Sequence, residues 1–196
     1  MSHDPDFYFP APRLQKFCGQ CATPITRRIL EGDNRERDVC EACGAVHYQN
    51  PRLVVGTLPI WNDKILLCLR AIEPRANTWT LPAGFMELGE TIGQGAERET
   101  QEEAGAQITL GKLYTVVDIP HVDQVHVYFL AHATSQDLDP GPETLEARWF
   151  GIDEIPWENL SFRSVSTTLK HYLREREIGH FDTHHYSLFA ANRPGD

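Results

Sequence analysis

Apolar and polar positions fall into blocks along the chain, and the blocks predict its elements. Residues 53–60 (LVVGTLPI) and 65–69 (ILLCL) are apolar runs rich in β-formers, separated by Asn62-Asp63, so they predict a hairpin. A polar loop over 71–78 leads to a short strand at 79–82 (WTLP). The stretch 84–106 (GFMELGETIGQGAERETQEEAGA) predicts a helix, with Thr91 at the N-cap and Gly105 at its stop. Strands are expected at 107–118, 124–132 and 146–150, with a loop over 134–144 and a helical turn at 153–157. In the loop before the second of these strands, His121 reads as a surface residue. Residues 164–178 carry Val165, Leu169, Tyr172 and Leu173 at helical spacing, the inner stripe of a scaffold helix. From residue 179 the chain is polar and His-rich, which predicts a loosely ordered tail. Strands flanking one helix, with a second helix near the end, imply an α+β architecture.

The first quarter differs. Residues 1–12 hold three prolines and read as a draped arm. Residues 13–50 contain Cys18-Gly-Gln-Cys21 and Cys40-Glu-Ala-Cys43, separated by eighteen residues. Each Cys-x2-Cys turn aims two thiolates at one ion, and two turns complete the tetrahedral sulfur shell that zinc prefers. Gly19 and Gly44 are expected to relieve these turns. Iron is the alternative metal. A disulfide framework would need an oxidising compartment, and a redox dithiol is usually single and set in a βαβ unit. All four ligand places are taken, so the metal is expected to be structural, with His47 surplus. Residues 48–51 read as a linker. The domains expected are an arm (1–12), a zinc ribbon (13–50), a main domain (51–178) and a tail (179–196).

Net charge is −10, from 18 basic and 28 acidic residues, which disfavours general binding to a phosphate backbone. No apolar run reaches membrane-spanning length, and the first residues lack an apolar signal core. The expectation is a cytoplasmic protein without a nucleic-acid or membrane partner. Cys68, inside an apolar run, reads as a buried core thiol.

The chemistry concentrates in the first helix. Glu99, Glu102 and Glu103 are spaced i, i+3, i+4, which puts three carboxylates within about 100° of arc. A solvated acidic face would carry matching lysines, but only Arg98 lies close. A tight Leu81-Pro82-Ala83-Gly84 approach leads into the helix. Crowded carboxylates beside such a turn suit a hard divalent cation such as Mg²⁺.

These residues also carry a resemblance. Gly84, Glu90, Arg98, Glu99, Glu102, Glu103 and Gly105 occupy the fixed positions of the Nudix box, Gly-x5-Glu-x7-Arg-Glu-U-x-Glu-Glu-x-Gly-U. Thr100 and Ala106 fill its usually aliphatic places, the first a mild departure. The resemblance implies an α/β/α sandwich with a mixed sheet over residues 51–178. It also implies a hydrolase of nucleoside diphosphates linked to another moiety, dependent on Mg²⁺ or Mn²⁺. Glu99, Glu102, Glu103 and the Ala83 carbonyl would hold the metal. Glu102 and Glu103 would serve catalysis, Arg98 and Glu90 would brace the box, and Arg70 could touch a substrate phosphate. The general base lies outside the box in this family, with Glu146 the first candidate and Glu143 the second. A homodimer is the family's usual state.

A ribbon before such a domain resembles NADH pyrophosphatases, but their Ser-Gln-Pro-Trp-Pro-Phe-Pro array is missing. The segments FCGQC, HYQNPRLVVG, WTLPAGFMELGE, QGAERETQEEAGA, DIP and PGPETLEAR resemble plant chloroplast FAD pyrophosphohydrolase and its bacterial relatives. This favours FAD, cleaved to FMN and AMP, with ADP-ribose as the alternative and NADH behind both. Nudix-like ligand sensors often lose the box glutamates. All are present here, so an enzyme is expected rather than a sensor.

Overall fold

The computed structural model describes residues 15–190, so the expected arm over residues 1–12 lies outside the described residues. The chain divides into two units, Pro10–Pro51 and one built on residues from 52 onward.

In the smaller unit, strands β1 (Thr26–Ile29), β2 (Glu36–Val39) and β3 (Val46–His47) form an antiparallel sheet in that order. The two cysteine turns share one backbone plan. The Ala22 N–H donates to the Cys18 carbonyl at 2.9 Å, and the Gly44 N–H to the Cys40 carbonyl at 2.8 Å. Cys18 and Cys40 donate to the Thr23 and Ala45 carbonyls, each at 2.8 Å. This plan needs a left-handed residue after the second cysteine of each turn. Gly44 supplies it at φ 75°, and Ala22 supplies it in the first turn at φ 59°. Gly19 was the expected relief there, but its φ is not positive and the strain falls on a residue with a Cβ.

The larger unit is an eight-stranded mixed sheet with a helix on each face. Its strands are β4 (Arg52–Trp61), β5 (Lys64–Arg70), β6 (Trp79–Thr80), β7 (Ala83–Phe85), β8 (Ile108–Ile119), β9 (Gln124–Ala133), β10 (Thr144–Phe150) and β11 (His184–Ser187). The order is β10-β5-β4-β9-β8-β11, with β6 on β5 and β7 on β4. Strand β4 is central because it is apolar on both faces, as a parallel neighbour of β9 must be. Its even positions, with Leu58, pack with Tyr114, Tyr128 and helix α2 (Arg163–Ile178) through Val165, Leu169 and Tyr172. Its odd position Val55 packs with Val127, Phe129 and Ala96 of helix α1 (Ile92–Ala104). Alternation along a strand therefore assigns the two helices to opposite faces.

Helix α1 has the expected caps. The Gln94 N–H donates to Thr91 Oγ1 at 3.2 Å, and the Thr91 N–H to Gln94 Oε1 at 2.9 Å, which closes a capping box. Gly105 ends it at φ 64°. Thr100, the departure from an aliphatic box residue, has a tertiary reason. Its hydroxyl lies 2.6 Å from Thr57 Oγ1 on β4 and donates to the Ala96 carbonyl at 2.7 Å, so the buried polar atoms satisfy one another.

The expectation of a loose tail is corrected. Residues 184–187 form β11, parallel to β8 in register His184 to Thr115. Polar partners hold it there: His184 Nε2 lies 2.7 Å from Glu175 Oε1 and His185 Nε2 2.8 Å from Asp118 Oδ2, and Leu188 buries its side chain next to it. Cys68 is buried at 1% exposure, and burial pushes its thiol well above the usual range, so it is an inert core residue.

Candidate active site

Strand β4 changes partner along its length. It pairs with β5 at Ile60 and Trp61, and with β7 at Val54 to Gly56. The sheet opens where it splits, and a cavity of about 790 Å³ lies there.

One wall comes from α1. Glu99 and Glu103 are 9% exposed, while the Glu102 side chain is 60% exposed at the rim. Arg98 gathers the acidic groups: its guanidinium donates to Glu90 at 2.8 and 3.0 Å, to Glu99 at 2.7 Å, to Glu102 at 3.2 Å and to the Phe85 carbonyl at 3.1 Å. Beside Arg98, the Glu90 carboxyl is held down at about 2, and it also accepts from the Glu87 N–H at 2.7 Å. Arg98 and Glu90 thus tie the 85–90 loop to the helix. Gly84 lets the Glu99 carboxylate lie against the backbone, because a Cβ there would displace that side chain.

Burial pushes the Glu103 carboxyl up to about 8, against the Ala83 N–H, which donates to its Oε2 at 3.0 Å. Glu99 is raised too, again by burial. A divalent cation would hold both as carboxylates, so this donor set fits a hard metal. The three glutamates line a wide cleft. Among the described residues, the only ligand atoms of three or more side chains lying within 4.8 Å of one another are the sulfurs of Cys18, Cys21, Cys40 and Cys43. There the Gln20 N–H, first among several donors, draws Cys18 down to about 6. The neighbouring sulfurs push Cys43 up to about 12 against the Ala45 N–H. Such crowding calls for a cation. His47, expected to be surplus, lies with Nε2 3.3 Å from Cys18 Sγ and braces that sulfur.

Of the outer carboxylates, the cavity takes in Glu143 and not Glu146. Glu146 sits on β10 with its side chain 49% exposed, 3.8 Å from Arg148. Glu143 is delivered by the preceding loop, which docks on the end of α1. The Asp139 N–H donates to the Ala104 carbonyl at 2.9 Å and the Gly141 N–H to the Glu102 carbonyl at 3.1 Å, satisfying carbonyls the helix leaves free. Gly105 and Gly141 both permit this, since a Cβ on either would overlap the opposing backbone. Arg70 lines the cavity, half-buried over the Phe162 ring at 5.3 Å, and donates to the Pro74 and Ile72 carbonyls at 3.0 and 3.4 Å.

The opposite wall holds two residues that sequence reasoning missed, Gln124 and His126 of β9. Their signal is two polar side chains at alternate positions in the first three residues of a strand that is otherwise largely apolar.

Profiles of known families match both units. The NUDIX domain matches residues 50–169, and the Nudix N-terminal zinc ribbon matches residues 16–49. The NAD-capped RNA hydrolase NudC of Stutzerimonas stutzeri is 33% identical over 146 residues, 72% of this chain and 50% of that protein. Its counterpart in Deinococcus radiodurans is 32% identical over 151 residues, 74% of this chain and 51% of that one. The chain thus spans about half the length of these curated relatives. A crystal structure of a Nudix hydrolase from Nitrosomonas europaea superposes with a TM-score of 0.88 at 46% identity, covering 90% of this chain and all of that one. An ADP-ribose pyrophosphatase from Streptococcus suis shares the fold at 21% identity and a TM-score of 0.59, over 70% of this chain and 100% of its own. With the family profile spanning more than half of its residues and the box glutamates gathered on one cavity wall, the chain belongs to the Nudix hydrolase family.

Proposed function

We propose that this chain cleaves the diphosphate of a dinucleotide with an ADP half, FAD first, giving FMN and AMP. The observation that carries the reading is the cavity itself, with buried carboxylates on one wall and neutral polar and aromatic groups on the other. A diphosphate fits the first wall once a cation is present, and a heterocycle fits the second. FAD over NADH is supported by the shared segments and the missing Trp-Pro-Phe-Pro array. ADP-ribose is the alternative because it shares the ADP half. The name of the curated relatives favours a second reading, an NAD-type dinucleotide.

Glu99, Glu102, Glu103 and the Ala83 carbonyl would hold Mg²⁺ or Mn²⁺. The metal, when bound, would neutralise the diphosphate and acidify water. Glu143 faces the same cavity and takes the proton of the attacking water, a role for which Glu146 is poorly placed. Arg70 supplies positive charge for a substrate phosphate, and Arg98 with Glu90 holds the helix and loop in register. The ribbon cysteines would hold one structural zinc. A homodimer belongs to the same proposal, and light scattering tests it.

A panel of FAD, ADP-ribose, NADH and NAD⁺ with Mg²⁺, compared by kcat/KM, tests the substrate. FAD is expected to lead. A kcat/KM for NADH or NAD⁺ well above those for FAD and ADP-ribose would overturn the assignment, and tight binding without turnover would return the sensor reading.

A further inference from the structure

Gln124, His126 and Ser164 form a chain of buried polar groups that runs from the cavity wall, where Gln124 and His126 lie, to α2, at 5%, 3% and 0% exposure. Gln124 and His126 share one face of β9, and Ser164 lies in the first turn of α2. His126 Nε2 lies 2.9 Å from Gln124 Oε1, and His126 Nδ1 lies 3.1 Å from Ser164 Oγ. An amide oxygen only accepts, so the proton sits on Nε2, and Nδ1 accepts from the Ser164 hydroxyl. Burial pushes His126 down to about 4, which keeps the ring neutral and this direction of donation in place near neutral pH.

The chain of donors therefore has a fixed end. Gln124 Oε1 is committed to His126, and its amide group, Nε2, has no protein partner among the described residues. A network that merely ties β9 to α2 would close on the protein at both ends. This one ends on a donor in the wall of the cavity. Val54 is the cross-strand partner of His126, and Met86 and Phe162 add apolar and aromatic surface to a cavity that Arg70 and the glutamates also line. Flat, uncharged ligand parts suit such walls, and phosphates do not.

We propose that Gln124 is a specificity residue, whose Nε2 donates to an acceptor on a heterocycle of the bound nucleotide, with His126 and Ser164 as the positioning residues that orient it. The inference rests on the reading of this cavity as a nucleotide-diphosphate site. Adenine ring nitrogens and flavin carbonyls are acceptors of the same class, so the structure names the shared chemistry and the experiment separates the sources.

The test is calorimetric binding of AMP, FMN and ribose 5-phosphate, with Mg²⁺, to the wild-type protein and to Gln124→Met. Substrate KM and kcat are measured alongside. One nucleotide should lose about tenfold in affinity, the size of one neutral hydrogen bond plus an acceptor left unpaired. Ribose 5-phosphate, which has no heterocycle, should bind as before, and KM should rise about tenfold with kcat within about twofold. The nucleotide that moves identifies the heterocycle. If Gln124→Met does not fold, Gln124→Glu retains the acceptor for His126 and removes the donor, and the nucleotide should then weaken more than ribose 5-phosphate. Equal losses for all three ligands, no loss for any, or no nucleotide binding by the wild type would overturn the proposal. Absence of wild-type turnover on every dinucleotide would overturn the hydrolase reading instead, and the binding arm would still decide the role of Gln124.

Discussion

Glu103 gives the protein a pH-dependent stability whose sign and window follow from its surroundings. Burial raises its carboxyl to about 8 in the folded protein without a cation. In the unfolded chain it titrates near 4.3. Between those values the folded state holds a proton that the unfolded state has released. Stability then falls as pH rises, by about 1.4 kcal/mol per pH unit. His126 opposes this over part of the range. Its folded value is pushed down to about 4 by burial, while the unfolded value is about 6.5. It adds stability with rising pH up to about 6.5 at the same slope, so the two contributions offset each other below that point. From about pH 6.5 to 8 Glu103 contributes a loss of about 2 kcal/mol, and comparison with a Glu103 variant separates it from the opposite contribution of Cys18, whose thiol is drawn down to about 6. Glu103→Gln retains an acceptor for the Ala83 N–H and removes the titration. Urea unfolding at pH 6.5, 7.2 and 8.0 without divalent cations should show the wild type losing about 2 kcal/mol more than the variant. Millimolar Mg²⁺ should flatten the wild-type slope and release a proton on binding, visible in calorimetry in buffers of different ionisation heat. Parallel stability lines for the two proteins would refute the reasoning.

Glu102→Gln should cut Mg²⁺-dependent kcat at least about a hundredfold, or about 2.7 kcal/mol, with the melting temperature unchanged or slightly raised as like-charge repulsion is relieved. Near wild-type turnover at all Mg²⁺ concentrations would remove the basis for placing the active site on α1. Glu143→Gln should slow turnover about a hundredfold with little change in Mg²⁺ affinity, while Glu146→Gln stays within about twofold; the reverse ranking would return the base to β10. Metal analysis of protein purified under reducing conditions should find one zinc per chain, and its removal should raise hydrogen exchange in residues 15–49 before it affects the cavity; finding neither zinc nor iron would sink the ribbon assignment. Ala22→Gly should stabilise the zinc-loaded ribbon by about 0.5–1 kcal/mol, because Ala22 holds a left-handed φ of 59°; denaturant unfolding followed within the ribbon checks it.

The readings that needed only neighbouring residues could be made from the sequence. Thr91, Gly105 and the i, i+3, i+4 glutamates act within one helix, so helical periodicity and capping chemistry predict that face directly. The cysteine spacing is equally local, since each turn needs four residues and a metal preference for sulfur. What the tertiary structure decided lies in contacts between distant segments. Which outer carboxylate faces the cavity depends on the docking of Asp139 and Gly141 onto the end of α1, and no periodicity near Glu143 or Glu146 encodes it. Thr100 reads as a departure until Thr57, 43 residues away, supplies its partner. The polar tail becomes a strand because Asp118 and Glu175 wait for its histidines. Gln124 and His126 read as parts of a strand, and only the split of β4 between β5 and β7 opens a cavity beside them. Local chain geometry is set by the residue and its near neighbours. The direction in which a side chain finally points is set by long-range pairing, which a linear reading does not contain.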